Sequence, residues 1–168
     1  MENPAMAAEP YAPRLLMLAT LSCAYPGADA VGKARLEYYP NVHVVGVPAP
    51  VMFPKEFYLR TFARGFDGII VAACGSDCPY KNAYDRLAER IDELVQVMKQ
   101  GGLEIPRIRL TALCTVCIKS FLKEVDEMKT KLSPLGPVNR ETARRLWQAE
   151  RAAQEARAAS WGVTGTHS

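Results

Sequence analysis

Four short apolar runs punctuate the chain, and the stretches between them repeat apolar residues at helical spacing. The runs are Leu15-Leu16-Met17-Leu18-Ala19, Val42 to Val47 (VHVVGV), Gly68 to Ala73 (GIIVAA) and Ile108 to Leu113 (IRLTAL). Being short and mostly apolar, they predict strands covered on both faces. Pro48 and Pro50 halt the second, since proline cannot continue a ladder. Pro26 and Gly27 are expected to turn the chain before a short helix over 28–36. A helix is predicted over 54–65 (PKEFYLRTFARG), with Pro54 in its first turn and Gly65 as its stop. The next spans 82–100, with Leu87, Ile91, Leu94, Val95 and Met98 at three- and four-residue spacing and Gly101–Gly102 as its C-cap. Another covers 118–132, with Phe121, Leu122, Val125 and Met128 inward, ended by Pro134, Gly136 and Pro137.

Strand and helix alternate four times. That alternation predicts an α/β fold, with a four-stranded parallel sheet, doubly wound and flavodoxin-like, in the order 2-1-3-4. Residues 1–13, with three Pro, read as a flexible arm; residues 14–136 form the α/β domain. Residues 137–168 read as a helical C-terminal extension. Its helix, over 140–160, carries five Arg against three Glu, and Trp147 and Trp161 are the only tryptophans of the chain. The Pro–Leu–Gly–Pro break is expected to free it from the domain. Trp and Arg are the residues enriched at interface centres, so the tail is expected to dock on a partner subunit.

Composition narrows the function classes. A net charge of +3, with no basic tract, argues against nucleic acid as a partner. No apolar run reaches the roughly 18 residues of a membrane helix. The N-terminus lacks the basic region and apolar core of a secretory signal, which places the chain in the cytoplasm. In a reducing compartment, clustered cysteines are metal ligands or redox groups rather than stable disulfides.

On the predicted scheme, all five cysteines lie just past strand ends. Cys23 follows strand one, Cys74 and Cys78 follow strand three, and Cys114 and Cys117 follow strand four. The carboxyl edge of an open α/β sheet is where sites form. Cys74-Gly-Ser-Asp-Cys78 and Cys114-Thr-Val-Cys117 are spacings that let two sulfurs reach one metal. The first expectation is that these four converge on one centre, with Cys23 a fifth nearby thiol or a substitute ligand. Tetrahedral zinc competes with an iron–sulfur cluster for the same set. A thioredoxin-like pair at Cys114 and Cys117 is weaker, because that motif belongs after the first strand. His43 and His167 read as structural or tail residues. Asp29, Asp67 and Asp77 flank the expected site as turn residues or caps.

Several segments together carry a resemblance: Cys23-Ala-Tyr-Pro-Gly-Ala-Asp29, Tyr39-Pro40, VHVVGVP, Phe62-Ala-Arg-Gly-Phe-Asp-Gly68 and Cys74-Gly-Ser-Asp-Cys78-Pro-Tyr80. Over about residues 14–137 the chain resembles the iron–sulfur delta subunit of methyl-viologen-reducing hydrogenases. The resemblance implies a 2Fe–2S cluster as cofactor and an electron-carrying role within an anaerobic redox complex. It implies as partner a flavin- and iron–sulfur-containing subunit of the heterodisulfide-reductase type, with other redox subunits, in complexes that run flavin-based electron bifurcation. Related modules occur in benzoyl-coenzyme A reductase assemblies. The alternative is a structural adaptor whose cysteines hold zinc or no metal. The family usually has several cysteines before Ala-Tyr, where Ala19 and Thr20 stand here, and one after strand two, where Ala49 stands. Cys114 and Cys117 fall where it carries small polar or acidic residues, which implies a rearranged ligand set.

Overall fold

The computed structural model describes residues 11–75, 78, 80–116 and 118–162. Four strands, β1 (Leu15–Thr20), β2 (Val42–Val47), β3 (Gly68–Ala73) and β4 (Ile108–Ala112), form one all-parallel sheet in the order β2-β1-β3-β4. This is the expected order. β1 is central, pairing Leu15 with Val42 on one side and with Gly68 on the other. Every residue of β1 and β3 is buried. Alternate side chains serve opposite faces, as strand geometry dictates. Leu16, Leu18, Ile69 and Val71 pack under α2 (Lys55–Ala63) and α3 (Ala83–Gly101). Leu15, Met17, Ile70 and Ala72 pack under α1 (Ala24–Lys33) and α4 (Ile118–Leu132).

The first helix departs from expectation. α1 begins at Ala24, directly after Cys23, and not at residue 28. Pro26 falls in its first turn, where a missing N–H costs no hydrogen bond, so Pro26–Gly27 continues the helix instead of turning the chain. Asp67 also departs. It precedes β3 and so lies at the amino edge of the sheet, away from the cysteines. Its carboxylate accepts the backbone N–H of Arg14 at 2.8 Å and of Val138 at 2.9 Å. Buried Arg107 donates to the Asp67 carbonyl at 3.2 Å and to the Gly136 carbonyl at 3.2 Å, and pairs with Glu104 through two bonds of 2.8 and 3.0 Å.

That knot ties the tail to the domain. The final helix, α5 (Arg140–Gly162), is not freed by the Pro–Leu–Gly–Pro break. Val138 and Ala143 are buried in the core beneath α2 and α3, and Leu146 and Trp147 pack against it. Leu146 covers Gly101 so closely that a Cβ there would lie 2.3 Å from its side chain. Arg60 stacks on Trp147, and Lys55 pairs with Glu150. Residues 151–160 are exposed. The expected arm falls largely on residues 1–10, outside the described residues, as does Trp161's side chain. No helix among the described residues is long and apolar enough to cross a membrane.

Two outcomes follow from this packing. Asp67→Ala strands two N–H groups, one of them buried, and should cost about 2–4 kcal/mol, read as a lower urea midpoint at unchanged slope. Deleting residues 137–168 should destabilise the domain by several kcal/mol, at roughly 1.5–3 kcal/mol per fully buried aliphatic side chain lost. Deleting 152–168 should leave the melting temperature in place.

Candidate metal centre

Parallel pairing brings the loops after β1, β3 and β4 to one edge. Cys74 leaves the end of β3, a central strand, and Cys23 closes the turn after β1. The two thiols are near enough for each to influence the other. Cys23 is 7% exposed and packs with the α1–α4 side of the core. Burial, and then the adjacent Cys74, push its thiol up to about 12. Cys78 approaches from the other side of the sheet. Together with Cys74, Thr20, Ala49, Pro50 and Leu87 it lines a cavity of about 10 Å³, room for one water at most. Cys74 therefore stands between Cys23 on one face and Cys78 on the other.

The loop after β4 reaches the same edge. A Cβ added at Gly27 of α1 would meet the Cys114 carbonyl at 3.5 Å. Leu113 N–H donates to the Ala73 carbonyl at 3.0 Å, which fixes this loop beside Cys74. Cys117, Asp77 and Pro79 lie outside the described residues. Asp29 lies within α1 and is neither a turn residue nor a cap; it pairs with Lys33 at 2.7 Å on the exposed face of that helix. His43 stacks edge-on against Phe66 at 5.4 Å, in a structural role.

The donor chemistry suits a soft metal. The free thiols among the described residues are Cys23, Cys74 and Cys78, and thiolates select iron–sulfur clusters or zinc over hard cations. Among the described residues no three His, Cys, Asp or Glu side chains are already disposed around a metal position. The fit is therefore one of donor type and common edge. Thr20 and Ala49 line the same cavity as Cys74 and Cys78. Sequence reasoning placed Cys23 at the margin of the site; the structure places it against Cys74. It passed over Ser22, whose hydroxyl lies 3.4 Å from the Cys74 sulfur. Adjacency to Cys23 was the available signal.

Gly75 lets the chain turn directly after Cys74. Its φ is +63°, and a Cβ there would lie 3.1 Å from that of Ala112. Gly75→Val incurs both the left-handed backbone cost and the clash, about 1–2 kcal/mol for the backbone alone. It should displace the loop bearing Cys74 and Cys78 and lower bound metal per chain, read by elemental analysis, more than it lowers the melting temperature.

The methyl-viologen-reducing hydrogenase delta subunit family matches residues 15–136. The chain is 31% identical over 130 residues to an iron–sulfur subunit of the F420-non-reducing hydrogenase of Archaeoglobus profundus, covering 77% of this chain and 95% of that one. It is 29% identical over 123 residues to one subunit of the ferredoxin:CoB-CoM heterodisulfide reductase of Methanosarcina mazei, where the match covers 73% of this chain but 16% of that protein. An F420-non-reducing hydrogenase iron–sulfur subunit from Methanococcus voltae is 24% identical over 131 residues, across 91% of its length. Since the family match takes in the whole sheet and each described cysteine, the chain belongs to the methyl-viologen-reducing hydrogenase delta subunit family.

Proposed function

We propose that this chain is an electron-transfer subunit of an anaerobic redox complex, carrying an iron–sulfur cluster, most simply 2Fe–2S, on Cys23, Cys74, Cys78, Cys114 and Cys117. The observation that carries this reading is the meeting of Cys23 and Cys74 at the carboxyl edge, with Cys78 on the cavity Cys74 also lines. When bound, such a cluster supplies reversible one-electron chemistry tuned by charge, hydrogen bonds and exposure. The chain's own part is to present the sulfurs from rigid strand ends. Cys23, buried, shields the inner side; Cys74 and Cys78, half-buried, lie toward solvent.

The partner reading follows from the relatives and from the surface. One relative belongs to a heterodisulfide reductase, and in it a domain like this one is a small part of a longer chain. A protein of that type, bearing flavin and iron–sulfur groups, is the partner proposed here, and a cytoplasmic complex is its setting. The edge that carries the cysteines also exposes large apolar side chains on all four of its loops. These are Leu21 and Tyr25 after β1, Met52 after β2, Tyr80 after β3 and Val116, 84% exposed, after β4. An apolar rim around an electron-exchanging group suits a docking face.

Thr20 and Ala49 give the second reading its basis, because two positions on the cavity wall offer no thiolate. A structural adaptor holding zinc is the alternative. Anaerobic purification separates the two. An iron–sulfur protein is brown, with visible absorption and acid-labile sulfide; a zinc protein is colourless. Cys74→Ser and Cys114→Ser should each lower metal retention at least about tenfold, since even outer-shell partners are worth that much. The circular-dichroism spectrum should stay that of the folded domain, because the sheet core does not need the metal. Full metal content in both variants refutes the ligand set, and zinc without iron refutes the electron-transfer reading.

A further inference from the structure

We propose that Ser22 is a positioning residue for the Cys74 sulfur, its hydroxyl hydrogen-bonding the metal-bound thiolate and raising the reduction potential of the centre. The inference rests on the electron-transfer reading above and adds to it a residue outside the cysteine set.

Ser22 Oγ lies 3.4 Å from Cys74 Sγ, and between a hydroxyl and a free thiol either atom could be the donor. Metal binding decides the direction. A metal-bound cysteine is a thiolate with no proton, so Ser22 must donate. The other hydroxyl of the turn, Thr20, donates to the Ala72 carbonyl at 3.1 Å and its sulfur neighbour is Cys23, not Cys74. Ser22 is thus the hydroxyl of this turn that is placed to donate to Cys74.

The turn is fixed on both sides of it. Leu21 N–H donates to the Val47 carbonyl at 2.8 Å, and Cys23 N–H donates to the Thr20 carbonyl at 3.2 Å. The Leu21 side chain closes over Gly46, where a Cβ would lie 2.7 Å from it. The turn that carries the hydroxyl is therefore held near Cys74 by its own backbone bonds.

A hydrogen bond to a thiolate sulfur draws electron density from it, which favours the more negative, reduced state of the centre. A hydrogen bond to a charged group, partly open to water, is worth up to about a tenfold change in the reduction equilibrium, or ~59 mV for a one-electron couple.

The test uses the full chain purified anaerobically with its metal, as wild type, Ser22→Ala and Ser22→Thr. Iron and sulfide per chain are measured first, and the reduction potential then by a titration followed by electron paramagnetic resonance. Ser22→Ala should keep its iron and become harder to reduce, by up to about tenfold in the equilibrium. Ser22→Thr, which keeps the hydroxyl, should return the potential toward wild type; a merely space-filling role for Ser22 predicts no such rescue. An unchanged potential in the iron-loaded Ser22→Ala protein overturns this proposal alone, as does an equal shift in both variants. A wild-type protein without iron overturns it together with the electron-transfer reading.

Discussion

The parallel pairing of β1 with two neighbours is the constraint on which the cysteine edge depends. Because β2 and β3 both run alongside β1 in the same direction, and β4 follows β3, all four strands end on one side. A parallel sheet admits no tight hairpins, so each return passes through a helix on a face. The carboxyl-edge loops are thereby left to carry chemistry. Reversing one strand would send its loop, and its thiols, to the opposite edge.

The two edges have divided their work. The amino edge is knotted by Asp67, Arg107 and Glu104, whose bonds join the start of β1, the approach to β4 and the segment before α5. The Arg107 guanidinium holds the Glu104 carboxyl below the usual carboxylate range. The carboxyl edge has sulfur, hydroxyls and exposed apolar side chains in place of such a knot. Stability is concentrated where no chemistry is proposed, and the edge with the thiols is the one where the metal and the partner are proposed.

Much of this was legible in the sequence. The buried strands were readable because parallel strands covered on both faces need apolar residues at every position, as GIIVAA has. Two of the main helices were readable from their spacing and a third from its Pro start and Gly stop, the parallel sheet from the alternation, and the sheet order from the likeness to flavodoxin. Two features were not. Pro26 and Gly27 look like a turn in isolation, and only the strand end just before them makes them the first turn of α1. The tail, rich in Arg and Ala, looks unattached, because its anchoring residues Val138, Ala143, Leu146 and Trp147 are few and spread over ten positions. At the site, spacing identified which cysteines pair along the chain. It could not show that Cys23, alone in its loop, is the one that touches Cys74, since that contact is made by strand neighbours far apart in sequence.

The seating of α5 also bears on how the protein is made. The outer side of α2 and the end of α3 are covered by the element that leaves the ribosome after all the strands. Until it emerges, Gly101 and the apolar side chains beneath Leu146 and Trp147 face solvent, on a sheet whose pairings are already non-local and slow to form. The nascent domain therefore reaches its full core only after α5 has emerged. A metal supplied earlier would meet a cysteine edge whose supporting layers were still incomplete.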